Sequence, residues 1–163
     1  MGDNERISFY RPGGYHPVEL GDKFYNRYVV EHKLGCGGNS TVWLARDLQH
    51  EHKRLVALKI MMSGDGDACL ETSFIRRLDS QTQPSACRPS FFPIVLDEFT
   101  IDGPNGNHRC LVTEALGPSL CGLAGEGDEL FCFPLAVAKK VAVQLAYAVS
   151  ELHECGIVHG GTL

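Results

Sequence analysis

The feature that most limits what this chain can become is the stretch from Leu34 to Lys59, LGCGGNSTVWLARDLQHEHKRLVALK. It holds a glycine-rich turn between two strand-like runs, and a third run that ends in a lysine. Without a Cβ, Gly35, Gly37 and Gly38 let the backbone take conformations closed to other residues and approach a ligand closely, presenting N–H groups to phosphate oxygens.

The residues after the turn decide among the phosphate-binding loops it could be. From Gly35 to Val42 the pattern is G-x-G-G-x-S-x-V, with Ser40 where a protein-kinase loop usually has its third glycine. A Rossmann turn opens a helix, whereas TVWLARD is β-branched and aromatic and reads as a strand. A Walker loop ends in Gly-Lys-Ser/Thr, and no lysine stands there. A kinase-type loop joins two strands and is followed by a V-A-x-K strand, which Val56, Ala57, Leu58 and Lys59 supply. Small apolar Val42 and Ala57 suit the roof over a purine ring, and Lys59 places a point charge on phosphates.

The rest of the chain reads as one ordinary globular core with appendages. Its 163 residues, 44% hydrophobic and 21% charged, are enough for one domain. A formal charge of -5 argues against nonspecific nucleic-acid or membrane-surface binding, either of which needs a basic face. The polar opening MGDNERISFY is not expected to be a signal peptide, and Arg6 occupies the position where a myristoylation motif wants Ser or Thr. Seven Cys without a C-x-x-C pair read as reduced thiols, and no metal site is expected. His50 and His52 lack metal-ligand spacing and read as a solvated hairpin tip.

In chain order, residues 1–27 read as an irregular segment. Strands are expected at Tyr28 to Leu34, Ser40 to Asp47 and Leu55 to Met62, and a further pair at Phe91 to Thr100 and His108 to Glu114. Asp67 caps a helix carrying Leu70, Phe74, Ile75 and Leu78 at helical spacing, with Glu71 on it. A second helix opens at Pro134, carries a stripe of Leu135, Ala138, Val141, Leu145, Val149 and Leu152, and ends at Gly156.

The run YRPGGYHPVELGDKFYNRYVVEHKLGCGGNSTVWLARD resembles the opening of the serine/arginine-rich-protein kinase family, especially its fungal members, within the protein kinase superfamily. With gaps, the resemblance extends from Tyr10 to Gly160. It implies an α+β, protein-kinase-like fold: a five-stranded antiparallel small lobe with one helix, and the truncated start of a helical large lobe. Residues 1–27 would be an extension packed on the small lobe, 28–114 the ATP-binding lobe, and 115–163 the hinge and large-lobe start. For ATP, the resemblance implies binding by Leu34, Gly35, Gly37, Gly38, Ser40, Val42, Ala57 and Lys59, with Glu71 as the partner of Lys59. It makes Thr113 the gatekeeper and gives the adenine edge to the carbonyl of Glu114 and the N–H of Leu116.

The full-length relative would transfer the γ-phosphoryl of ATP, with Mg²⁺, to Ser or Thr of Arg/Ser-rich proteins in cytoplasm and nucleus. At the loop that begins Ile157-Val158-His159-Gly160 the resemblance ends: Gly161 stands where the family has its proton-accepting aspartate. Neither the later asparagine nor the DFG aspartate that hold the metal is present, so the chain by itself is expected to bind nucleotide without catalysing transfer. Two alternatives remain open, a noncatalytic pseudokinase-like binding or scaffold module and a small-molecule phosphotransferase. The apolar stripe of 135–154 is expected to support self-association.

Overall fold

An antiparallel sheet that buries one face alternates buried and less buried residues, and the strands here do so. In Ser40–Asp47 and Leu55–Met61 every second residue is buried. The computed structural model describes residues 5–50, 52–64, 73–78, 91–117, 119–120 and 133–158. The strands are β1 (Lys23–Phe24), β2 (Tyr28–Cys36), β3 (Ser40–Asp47), β4 (Leu55–Met61), β5 (Val95–Gly103) and β6 (Gly106–Glu114). They form one six-stranded sheet in the order β1-β2-β3-β4-β6-β5, every neighbouring pair antiparallel. A 3-10 turn at Ile7–Phe9 precedes them, residues 73–78 are helical, and a long helix, α1, spans Leu135–Glu154.

The expected five strands are thus six, and residues 1–27 are not wholly irregular. Lys23–Phe24 joins the edge of the sheet because the chain reverses through Tyr25 and Asn26, both in the left-handed region at φ 52° and 53°. Two successive positive φ values make the type I′ turn whose twist matches a hairpin. The Arg27 N–H closes it on the Phe24 carbonyl at 3.0 Å, an ordinary bonding distance. A Tyr at a left-handed position carries no local signal, and Tyr25 is held there by stacking on Phe99, 5.0 Å between centroids.

The chain divides into two compact units, Met1–Ser73 with Ile94–Leu116 and Phe74–Pro93 with Gly117–Leu163. In the first, the core lies on one face of the sheet: Tyr28, Val30, Trp43, Ala45, Val56, Leu58, Ile60, Phe99, Cys110 and Val112 pack together with Phe24, and Val18 packs against them. In the second, α1 starts after Pro134, and its end is followed by Gly156 at φ 68°, the left-handed glycine expected after a helix. No residue of α1 is buried, and among the described residues no helix is long and apolar enough to cross a membrane.

Two ion pairs made by Arg27, with the neighbouring Tyr28, tie three strands of the first unit. The Arg27 guanidinium forks onto Asp47, Nε to Oδ1 at 2.7 Å and a terminal nitrogen to Oδ2 at 2.8 Å. Its other arm reaches Asp97 at 3.0 Å, which also accepts from the Tyr28 hydroxyl at 2.7 Å. The Asp47 carboxylate is wholly buried, and the Arg27 bonds hold its pKa below the usual carboxylate range despite that burial.

Replacing Asp47 with Ala removes the buried half of the Arg27 pairing and leaves Arg27 only Asp97, and is expected to cost about 1–3 kcal/mol in urea denaturation. Because Asp47 is more acidic folded than unfolded, its contribution is complete above the unfolded value of about 4 and is lost as pH falls through the lower folded value. The acid-side loss of stability is therefore expected to flatten in Asp47→Asn.

Candidate functional site

Residues directly opposite in an antiparallel ladder share a face, so the register shows which candidate residues come together. Val42 lies opposite Lys59, and Lys59 opposite Leu111. Two residues along, Leu44 lies opposite Ala57, and Ala57 opposite Thr113. These six residues therefore line the face away from the core. Lys59 and Ala57 alternate with buried Val56, Leu58 and Ile60, so the V-A-L-K strand serves the core with one set of side chains and the other face with the next.

Two irregularities in β2 shape its end. Val30 pairs with Ala45 and His32 with Leu44, leaving Glu31 extra; Lys33 pairs with Trp43 and Gly35 with Val42, leaving Leu34 extra. Such bulges bend a strand and increase its twist. Glu31 reaches the neighbouring strand through Arg46 Nε, 2.5 Å away. Leu34 is half exposed, and Gly35 falls on the face of Val42.

The glycine turn itself is narrower than the sequence pattern implies. β2 runs through Cys36, so Gly35 is a strand residue, and the reversal is made by Gly37 to Ser40, closed by the Gly37 N–H on the Ser40 carbonyl at 2.8 Å. None of Gly35, Gly37 and Gly38 has a positive φ, so left-handed freedom, expected from their lack of a Cβ, is not what the turn uses. What they leave is room. A Cβ on Gly35 or Gly38 would meet no atom within 4 Å, and one on Gly37 would meet only Ser40 Oγ, at 3.7 Å. That open space above backbone amides is what a phosphate group requires.

Protein groups hold the turn from two sides. The Met62 N–H, just past β4, donates to the Asn39 carbonyl at 2.8 Å and so ties the turn to the strand carrying Lys59. The Tyr15 hydroxyl donates to the carbonyls of Gly37 and Gly38, at 2.7 and 3.1 Å. Ser40, at the end of the turn, is buried. Tyr15 was not a candidate from sequence, although it belongs to the PGGYHPV stretch; a bond spanning 22 residues leaves no local pattern.

The remaining candidates lie at the end of β6 or outside the described residues. Thr113 is partly buried, its hydroxyl 3.3 Å from the Glu114 carbonyl. Glu114 is exposed opposite Val56, and Leu116 beyond it is 64% exposed. Glu71 and Gly161 lie outside the described residues. His50 and His52 sit near the β3–β4 connection with rings 6.2 Å apart, and among the described residues no group of three or more His, Cys, Asp or Glu could hold a metal ion.

A glycine turn, a lysine one strand away on the same sheet face and a small apolar residue beside it make up the arrangement the kinase resemblance implies. Comparison with known proteins finds protein kinases. The chain is 41% identical over 159 residues to protein kinase dsk1 of Schizosaccharomyces pombe, covering 95% of this chain and 29% of that protein. Over nearly its whole length the chain is similar to SR-protein kinases. To SRSF protein kinase 3 of Homo sapiens it is 35% identical over 153 residues, 92% of this chain and 26% of the relative. To the serine/threonine-protein kinase spk-1 of Caenorhabditis elegans it is 39% identical over 153 residues, 92% of this chain and 15% of the relative. The chain thus spans less than a third of each of these relatives. No family model matches it. The antiparallel sheet is that of a protein-kinase N-terminal lobe.

The open space at the turn predicts that alanine is tolerated there. Gly38→Ala is expected to leave the fold as stable as before or up to about 1 kcal/mol more so, by restricting the unfolded chain. Gly106→Ala is expected to destabilise it by about 1–3 kcal/mol, because Gly106 has φ 126° and its Cβ would collide with the Ser63 side chain. Paired thermal melts of the two variants measure the contrast.

Proposed function

We propose that this chain is the ATP-binding part of a serine/threonine protein kinase of the SR-protein kinase type. The observation that carries the reading is the position of Lys59. It faces Val42 across the β3–β4 ladder, on the sheet face reached by the glycine turn, and the turn is bonded to the end of its own strand through Met62 and Asn39. A lysine ammonium there neutralises phosphate charge while the turn amides approach the same phosphates. Val42 and Ala57 offer the apolar roof for adenine, with Leu34 at the edge; Thr113, the Glu114 carbonyl and the Leu116 N–H serve as its back wall and hinge. Glu71 orients Lys59.

In the complete kinase we propose transfer of the γ-phosphoryl of ATP to Ser or Thr of Arg/Ser-rich proteins, in cytoplasm and nucleus. Mg²⁺ supplies charge neutralisation in that reaction; none of the described residues is assigned to hold it. The 163 residues by themselves bind nucleotide and transfer nothing, because Gly161 has no carboxylate to accept the substrate hydroxyl's proton. A peptide rich in Arg-Ser repeats, incubated with labelled ATP and this chain, is expected to stay unlabelled; labelling that disappears in Lys59→Ala would refute that part.

Titration calorimetry tests the binding reading directly. Wild-type protein is expected to bind ATP, and Lys59→Ala to bind it about 10- to 100-fold more weakly, the loss of a charge-assisted contact worth about 1.5–3 kcal/mol. Adenosine, which lacks the phosphates, is expected to bind both proteins alike. Absence of ATP binding to the wild type, or equal ATP affinity in the two proteins, would defeat the assignment.

A further inference from the structure

Two successive carbonyls of the glycine turn, those of Gly37 and Gly38, converge on one hydroxyl, Tyr15 Oη, at 2.7 and 3.1 Å. Tyr15 is buried, 3% exposed, and is anchored independently of the turn. Its carbonyl accepts from Asn105 Nδ2 at 2.6 Å, the Asn105 carbonyl accepts from the Gly13 N–H at 2.8 Å, and the Gly14 carbonyl accepts from the Ser63 N–H at 3.1 Å. Its ring packs on Phe9 and Tyr10, with centroids 6.0 and 5.6 Å away. Tyr10 in turn donates to the Glu5 carboxylate, which pairs with Lys33, and Lys33 Nζ lies over the Trp43 ring. Trp43 belongs to the core face. The whole chain of contacts, Tyr15 included, therefore lies on the side of the sheet opposite Lys59.

Peptide geometry turns this into a direction for the amides. A trans peptide is planar, with its N–H antiparallel to its C=O, and there is no cis peptide bond among the described residues. The Gly38 N–H shares a peptide unit with the Gly37 carbonyl, and the Asn39 N–H with the Gly38 carbonyl. With both carbonyls drawn to Tyr15, both N–H groups point away from its hydroxyl. The Gly37 N–H is already engaged by Ser40. Two consecutive N–H groups on one side form a backbone nest, a concavity that takes an anion, and a Cβ on Gly38 would meet no protein atom within 4 Å.

We propose that Tyr15 is a positioning residue for phosphate recognition: its hydroxyl holds the Gly37 and Gly38 carbonyls so that the Gly38 and Asn39 amides face an anionic polyphosphate beside Lys59. This rests on the ATP-binding reading above and deepens it. The N-terminal segment is then part of the binding apparatus, and the ligand chemistry it governs is the phosphate chain rather than the nucleoside. Burial raises the Tyr15 phenol above its ordinary value, so the hydroxyl keeps the proton it donates.

The test is Tyr15→Phe, which keeps the ring and removes the donor, titrated in the whole 163-residue chain with ATP and separately with adenosine. ATP affinity is expected to fall about 10-fold while adenosine affinity stays within about twofold. A merely structural role for Tyr15 would weaken both ligands together, and that result, like an unchanged ATP affinity, overturns the proposal while leaving the ATP reading intact. A wild-type protein that binds no ATP removes the ATP reading and the proposal with it. A second measurement does not depend on the variant folding: the amide resonances of Gly38 and Asn39 in wild-type protein are expected to shift when ATP is added and to stay in place with adenosine. ATP binding that leaves both amides unmoved overturns the proposal.

Discussion

Successive side chains along an extended strand point to opposite faces, and in this lobe that two-residue period is the constraint on which both core and site depend. The three central strands β3, β4 and β6 give Trp43, Ala45, Val56, Leu58, Ile60, Cys110 and Val112 to the buried face. The residues between them, Val42, Leu44, Ala57, Lys59 and Thr113, have no choice but the other. A slip of one residue would bury Lys59 and expose Leu58. Core packing therefore holds the register, and the register places the lysine opposite Val42 and one strand from the glycine turn.

The edges of the sheet are held by polar interactions instead. The fork between Arg27 and buried Asp47, extended to Asp97 and Tyr28, joins the start of β2 to the end of β3 and to β5. At the other end of the same strands, the turn from Gly37 to Ser40 is bonded to Met62 on one side and Tyr15 on the other. A glycine turn without such ties would lose much of its preorganisation, because glycine has the most conformational freedom to lose. The room left by the absent Cβ atoms and the anchoring of the turn's carbonyls have different origins: the first is set by residue type, the second by hydrogen bonds from distant parts of the chain.

Much of the central hairpin was legible in the sequence. β-branched and aromatic residues with period two mark β3 and β4, and the Gly35 to Val42 pattern followed by V-A-L-K separates a kinase-type loop from Rossmann and Walker loops. The strand Ser40–Asp47 has the expected bounds, whereas β2 continues two residues past Leu34 into the glycines. The Lys23–Phe24 strand was not legible, since two residues have no period and the left-handed Tyr25 that forms its turn is stabilised by Phe99, far along the chain. Nor were the bulges at Glu31 and Leu34, which arise where β2 meets its partner's register.

By itself, then, the sequence determined residue chemistry at each position: glycines that leave space, a lysine in a strand, apolar residues at every second place, and a family resemblance carried by contiguous motifs. Those properties are local, encoded by neighbours a few residues apart. Only the tertiary structure decided that Tyr15 of the PGGYHPV segment holds the carbonyls of the glycine turn, and that Asp47 is a buried anchor. These depend on hydrogen bonds between residues 20 or more positions apart, which form only when the folded sheet brings their partners within bonding distance and excludes the water that would otherwise satisfy them.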